Sequence, residues 1–592
     1  MMKEIKPLSL IYIIICLKVL ILYIFGINGN LYLGVNFLLI LGFLIIFFIL
    51  KNNLNIKFEK LHFSYIYLLF PYLIYVVLIP NSYFFKSQDE FVWWGASTKW
   101  MFDNNHFITD EFPEGQRHYP QGQQLFQYFF LKITFWSEAN VLRAQNFFIL
   151  SAILYTVSEL SKKTCLIPVT FVVTSCALYA FQFGYTTIMN DALLGSAYAA
   201  AVTSSIKFKK KWLSFLKLAI TTLILILLKD IGIVLAIIVI SISTYNLFLI
   251  ERENLNTKKS ILNAIVFLSA MLTLVFALRA SWHSYVFSIN SIVNLRHLDF
   301  LSILQGSPPE NFELITREFL RRVWSGIFLD LKIFKISILF TTIIFLAYSL
   351  ILVLRMPIHR HFKSITNLII YLFGLTAFVF LHLYLYLIWF GDYEGPRLAS
   401  FERYIGVYYL SWLIILIPVS IQQFIKVDNV NSLILIRLGL IFILIISFMV
   451  SVVLHTKHIF ATSSQIEMRQ EIYASTEVIK KYISTDQKVY FIQQNSIGYE
   501  QSLFGYLMRP YDARNWCWSI GEKYYPNDVW SCDRELKELV KDYDYIYIYR
   551  ADENFWNNCK ELFDSDEVGN KTGIYKIFKD SNTVKMVSVK KL

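Results

Sequence analysis

KWLSFLKLAITTLILILLKDIGIVLAIIVISISTYNLFL, residues 211–249, is the stretch whose reading sets the architecture. It is apolar almost throughout, yet a helix needs only about 20 apolar residues to cross a hydrocarbon layer about 30 Å thick. Its one interior interruption after the first turns is the pair Lys229-Asp230. Two adjacent charges at the bilayer centre would be costly. The stretch therefore reads as two spans, 212–228 and 231–250, joined by a tight turn. Were the pair buried in mid-helix instead, every later span would run the other way.

Similar runs recur on both sides, near residues 8–27, 31–50, 61–80, 141–160, 165–182, 188–206, 260–280, 333–354, 365–390, 404–424 and 432–455. The chain is 56% hydrophobic and only 17% charged, against roughly 25% charged residues in soluble domains. Its mean hydropathy is +0.49. The fold class is a polytopic α-helical membrane protein with about 13 transmembrane helices and a small C-terminal α/β extracytoplasmic domain. A net charge of +12 would suggest nucleic acid in a soluble chain. Here the excess lies in short loops between spans, so membrane lipids and no nucleic acid are the expected partners. The run Leu8–Phe25 is reminiscent of a signal peptide, but no small-residue cleavage site follows, so a retained first span is expected.

Orientation follows from those loops. Lys3 and Lys6, then Lys51, Lys57 and Lys60, Lys162 and Lys163, Lys207 to Lys211, Arg252 with Lys258 and Lys259, and Arg355 with Arg360 and Lys363 follow alternate spans. All fall on one side if the N-terminus is cytoplasmic, as the positive-inside rule requires. The C-terminal tail then lies on the opposite face. Residues 1–458 form the transmembrane domain, with large outer loops at 81–140, 281–332 and 391–403. Residues 310–328 have the spacing of a helix lying along the interface. There Arg317, Arg321 and Arg322 suit anionic headgroups as well as substrate.

Residues 459–592 form a soluble extracytoplasmic α/β domain. Helices are expected at 467–484 and 534–543, and strands at 488–494, 543–550 and 573–579. Its expected work is to cover the site or help bind acceptor. Cys517 and Cys532 could pair there, while Cys16, Cys165 and Cys176 read as small core residues. No Cys/His spacing resembles a zinc site.

The first outer loop is far longer than a connection requires. Asn81 to Leu125 places Asp89, Glu90, Lys99, Arg117 and His118 among Trp93, Trp94 and Trp100. The tryptophans read first as an interfacial aromatic belt. The motifs in this loop and after it resemble those of the GT-C superfamily of polytopic glycosyltransferases, which includes protein O-mannosyltransferases and the lipid A aminoarabinose transferase. The matching residues are Asp89-Glu90, Lys99 and the run His118-Tyr119-Pro120-Gln121-Gly122. Asp191 at the start of a later span, Lys229 at a further outer turn and Arg403-Tyr404 near a late span complete them. The adjacency of His118 and Tyr119 and two extra spans before the loop depart from the superfamily pattern.

The resemblance implies transfer of a sugar from a polyprenyl-phosphate donor, with inversion, at the outer face of a bacterial cytoplasmic membrane. The acceptor would be an envelope glycan, a lipid such as a lipopolysaccharide precursor, or a protein. Such chemistry needs a base for the acceptor hydroxyl and cations for the departing phosphate. Asp89 is the expected base, with Glu90 orienting acceptor or a cation. Lys99, His118, Tyr119, Asp191, Lys229, Arg397, Glu402, Arg403 and Tyr404 are the expected substrate and phosphate groups. Arg397, Glu402 and Arg403 also sit near Asp392 and Glu394, where mutual ion pairing would account for them. Asp191 also suits a helix N-terminus. No cofactor is required, because cationic side chains suffice for a monophosphate leaving group; the outward carboxylates leave a divalent metal open. Two other functions stay open: a polysaccharide or lipid-linked sugar transporter or flippase, and a lipid-linked oligosaccharide polymerase. Charge concentrated in outer loops, without visible internal symmetry, favours the transferase over a transporter.

Overall fold

The computed structural model describes residues 6–51, 63–112, 117–178, 184–253, 255–291, 300–308, 310–330, 335–424, 459–526, 528–564, 572–579 and 584–591. The span expected at 432–455 lies outside the described residues, as do Lys57, Lys60 and residues 292–299 of the 281–332 interval. Contacts divide the chain into two units. The first holds Met1–Tyr83, Thr98–Asp110 and Gln116–Phe460; the second holds Phe84–Ser97, Glu111–Gly115 and Ala461–Leu592.

In the first unit, the decisive stretch breaks as expected into the helices Trp212–Leu228 and Gly232–Arg252. Lys229, Asp230 and Ile231 make the turn, with the Gly232 amide donating to the Lys229 carbonyl at 2.8 Å. A side chain at Gly232 would collide with the Leu225 carbonyl, so only glycine allows so close a return. Among the described residues, six helices are long and apolar enough to cross a membrane: Pro7–Ile27, Glu138–Leu160, Gly232–Arg252, Thr257–Ser288, His361–Ile388 and Phe401–Gln423. Shorter apolar helices include Leu31–Ile45, Trp212–Leu228 and Ile338–Leu354. The protein is a multi-pass helical membrane protein with a small C-terminal α/β region.

Three expectations need correction here. The spans expected at 61–80 and 165–182 are shorter and less regular. One is 3-10, α and π turns over Phe63–Val77, and the other an α-helix over Ile167–Cys176. The interval 81–140 is not loop throughout, because Gly122–Ile133 is a helix buried from Gly122 to Phe129. Its amides explain how a glutamine-rich segment sits inside: Gln127 accepts from Thr98 Oγ1 at 2.6 Å, and Gln123 donates to the Ile188 carbonyl at 2.6 Å.

The helix Asp191–Ile206 is the axis of this unit, buried from Asp191 to Ser205. It packs against Phe401–Phe424, Glu138–Leu160, Trp212–Leu228 and Gly232–Arg252. Its sequence DALLGSAYAAAVTSSI is rich in Ala, Ser and Gly, and small residues let helix backbones approach closely. Whatever stands at its N-terminal end is therefore surrounded by helix ends on several sides. At the other end Lys6 bonds the Ser158 and Ser161 carbonyls, Lys217 pairs with Glu159, and Lys210 with Glu251. The basic loops read as cytoplasmic thus gather at one end of the bundle.

The second unit is built on a four-stranded sheet in the order Val489–Gln493, Tyr545–Arg550, Gly573–Lys579, Val584–Lys591. The first pair is parallel and the others antiparallel. The helix Ser463–Ile479 opens with a capping box between Thr462 and Gln465. The helix expected over 534–543 shrinks to Leu536–Leu539, since Glu535 is extended and Val540 leaves the helical region. Cys517 and Cys532 are disulfide-bonded, with Cα atoms 5.5 Å apart. Trp93 and Trp94 are buried in this unit and are not an aromatic belt. Their segment packs on the helix Tyr499–Met508: Tyr499 donates to the Lys86 carbonyl at 3.0 Å, and Gln88 to Ser502 Oγ at 3.1 Å.

Candidate active site

A buried carboxylate caps the axial helix. Asp191 is 3% exposed, and a lone charge taken that far out of water costs several kcal/mol. Two cations offset that cost. Lys229 Nζ lies 2.8 Å from Oδ1, and Arg403 Nε lies 3.3 Å from Oδ2. The three residues come from the start of one helix, the turn after another and the first turn of Phe401–Phe424. They meet because those ends share one side of the bundle. Tyr404 presents its ring to both cations, 4.5 Å from Lys229 Nζ and 5.1 Å from the Arg403 guanidinium. The triad carries one net positive charge.

A second ion pair stands beside it, between Asp230 and Arg279. Arg279 is on the helix Thr257–Ser288, with His283 one turn further on. That helix is 32 residues long, about 48 Å at 1.5 Å per residue, so its last turns outrun an apolar layer of about 30 Å. A span read as 260–280 leaves His283 outside, and Arg279, inside its last turn, was not singled out. The signal for His283 was the continued helical spacing of apolar side chains through Val286.

His118 and Tyr119 are held above these pairs. The Trp282 indole donates to the His118 carbonyl at 2.8 Å. The His118 ring meets Tyr119 edge-on at 4.5 Å and Trp389 at 4.9 Å. Both its nitrogens are buried with no hydrogen-bond partner among the described residues. Burial pushes the imidazole down to about 4, with Arg279 and His283 helping and Asp230 opposing. It is neutral at neutral pH. His382 is buried and uses Nδ1 on the Phe378 carbonyl at 2.8 Å, which leaves Nε2 as an acceptor.

His118, Tyr119, Asp191, Lys229, Asp230, Arg279, His283, His382 and Tyr404 line a cavity of about 900 Å³. Its other lining is apolar, with Val286, Phe287, Phe378, Leu381, Leu385 and Ile388 among the contributors. The structure thus brings His118, Tyr119, Asp191, Lys229 and Tyr404 to one cavity, with Arg403 bound to Asp191.

The remaining candidates stand elsewhere. Lys99 pairs with Asp103 at 3.8 Å and lies over the Trp136 ring. Arg397 stacks on Tyr393, and its carbonyl accepts from Arg322 at 3.0 Å. Glu402 lies 3.6 Å from Arg322, which also pairs with Glu318. Arg322 therefore pins the approach to the last described helix of this unit, and Arg321 pairs with Glu318 at 2.6 Å.

Asp89 and Glu90 belong to the second unit. Glu90 is 1% exposed, and its Oε2 accepts from the amides of Lys86 at 2.8 Å and Ser87 at 3.0 Å. The Glu90 amide in turn donates to Ser87 Oγ. Asp89 is partly exposed, directly before the π-helical turn Glu90–Trp94. Among the described residues, no group of three or more His, Cys, Asp or Glu side chains gathers as a metal site would require.

No family model matches the sequence, and no curated protein matches it. Among solved structures, the chain is similar to the crystal structure of ArnT from Cupriavidus metallidurans bound to undecaprenyl phosphate. The TM-score is 0.33 at 12% identity, over 77% of this chain and 86% of that chain.

Proposed function

We propose that the protein is an inverting membrane glycosyltransferase. It takes a sugar from a polyprenyl-phosphate donor and passes it to an envelope glycan, lipid or protein acceptor. The reaction face is the outer side of a bacterial cytoplasmic membrane, the side opposite the basic loops. One observation supports this above others: a single cavity lined both by charged groups, Lys229 and Arg279 among them, and by many apolar side chains. A phosphate on a long apolar tail has that same division.

In this reading Lys229 and Arg403 exchange part of their contact with Asp191 for the donor phosphate, and Arg279 stands ready beside them. Charge-assisted contacts of this kind are the strong ones. The bond from the sugar's anomeric carbon to the phosphate oxygen breaks, and its electron pair stays on the phosphate. The acceptor hydroxyl oxygen attacks from the opposite face, and its proton passes to a general base, the role the sequence suggests for Asp89. Neutral His118, with two unpartnered nitrogens, offers a hydrogen bond to sugar or phosphate.

Purified protein given a panel of polyprenyl-phosphate sugars, each with candidate acceptors, should release free polyprenyl phosphate. Release of pyrophosphate would mark a polymerase. Movement of the lipid-linked sugar across a vesicle membrane with no bond broken would mark a transporter.

A further inference from the structure

Three tryptophans in the second unit stack from the interior to the surface. Trp518 is buried, its indole N–H donating to the Ser496 carbonyl at 3.1 Å. Trp530 lies 4.7 Å from it at 20°, and Trp516 lies 6.3 Å from Trp530 at 12°. Trp516 is 70% exposed. Core packing accounts for the innermost ring. It does not account for a near-parallel stack that ends on an open indole face.

The stack is built rigidly. The Cys517–Cys532 disulfide ties the segment carrying Trp516 and Trp518 to the strand Ser531–Cys532 that follows Trp530. Ser519 and Ile520 pair with Ser531 and Cys532 in a two-stranded parallel ladder. Asp528 accepts from the Trp530 amide at 2.9 Å, and from the Ser531 amide and hydroxyl. Cys517, between the two indoles, has φ of +66°, a strained setting for a non-glycine residue. Such strain persists where surrounding contacts over-determine it.

We infer that Trp516 is a saccharide-stacking platform, and that the acceptor of this protein includes a glycan chain. The acceptor assignment rests on the transferase reading; the platform stands on this unit alone. An aromatic face carries partial negative charge, which suits the slightly positive C–H face of a pyranose ring. Residues 511–535 carry five acids, Asp512, Glu522, Asp528, Asp533 and Glu535, against three bases, Arg514, Lys523 and Arg534. An aromatic patch meant for an anionic lipid surface would show the opposite balance.

The test uses full-length protein in nanodiscs on a printed array of lipid-free lipopolysaccharide, capsule and wall oligosaccharides. Wild type should be retained by at least one saccharide class. Trp516→Ala should lower that retention about tenfold, Trp516→Tyr should keep most of it, and Lys229→Ala should leave it unchanged. Failure of wild type to bind any saccharide, or full retention by Trp516→Ala, overturns the platform. So does quenching by dibrominated phospholipid of the fluorescence that separates wild type from Trp516→Phe, which would put the indole in the bilayer. Saccharide retention without any sugar transfer would instead remove the transferase reading and leave the platform standing.

Discussion

Asp191 in the membrane unit and Glu90 in the second unit are two carboxylates equally removed from water, 3% and 1% exposed. Their charges are stabilised in opposite ways. Asp191 is held by Lys229 and Arg403, long side chains from distant parts of the sequence. Glu90 accepts from the amides of its own turn, at Lys86 and Ser87. Side-chain cations can change partners when an anion arrives; amides of the same turn cannot. The first arrangement is a reserve of positive charge for a ligand. The second shapes the segment that carries Asp89.

The largest expected effect tests the chemistry that this second segment presents. Asp89→Asn should reduce transfer to background, since a positioned base contributes about 10²–10⁴ in rate. Insertion and melting temperature should stay at the wild-type level. Turnover near wild type in that variant would take the base role away from Asp89.

Lys229→Ala should lower kcat by about 10²–10³, the scale of removing a preorganised charge from a transition state. It also leaves Asp191 with less compensation, and breaking a buried pair typically costs about 3–5 kcal/mol. Adding Asp191→Asn should restore much of the melting temperature and none of the activity. Recovery of both in the double variant would show that the pair is purely structural.

Glu90→Gln should cost about 1.5–3 kcal/mol, the range for hydrogen bonds to a charged group, and should change kcat little. A collapse of kcat at unchanged stability would move Glu90 from shaping the turn into the chemistry, and the contrast with Asp191 would fail.

The smallest effect is one of pH. The His118 imidazole has a folded value of about 4 against 6.5 for an ordinary histidine. As pH falls, the unfolded chain therefore takes up this proton first. His118 contributes its full share of stability above about 6.5 and loses it between there and about 4. Melting temperature of the detergent-solubilised protein should fall across that window, and His118→Gln should flatten the fall. A polyprenyl phosphate bound beside the ring would raise its folded pKa and lift the lower edge of that window. No such movement on adding the lipid would place the phosphate away from His118.

Much of the site could be read from the chain before any contact was known. Lys229 and Asp230 stood out because charge inside a long apolar run is expensive, and Gly232 beside them permits the turn. Asp191 and Arg403 stood out at span ends as positions that match the GT-C motifs. His283 did not, because a helix that outruns the bilayer keeps its apolar spacing past the point where a span should stop; Arg279, in the last turn of the expected span, has its partner Asp230 49 positions earlier. Trp93 and Trp94 were misread because an aromatic pair beside a span has the same local pattern at an interface and in a core. Only the packing of Phe91 on Tyr499 and Tyr506, more than 400 positions away in the sequence, tells them apart.

The sequence alone thus determined that the chain is a multi-pass helical membrane protein, where the 211–249 stretch breaks into two helices, and which helix ends carry charge. Those properties follow from the local cost of putting polar groups in hydrocarbon. Tertiary structure alone decided that Lys229 and Arg403 share one carboxylate, that Arg279 joins them, and that the Asp89 segment packs with the C-terminal unit. Which ends meet depends on how the small-residue helix Asp191–Ile206 lets its neighbours close around it, and pairing at that distance leaves no periodic trace in the chain.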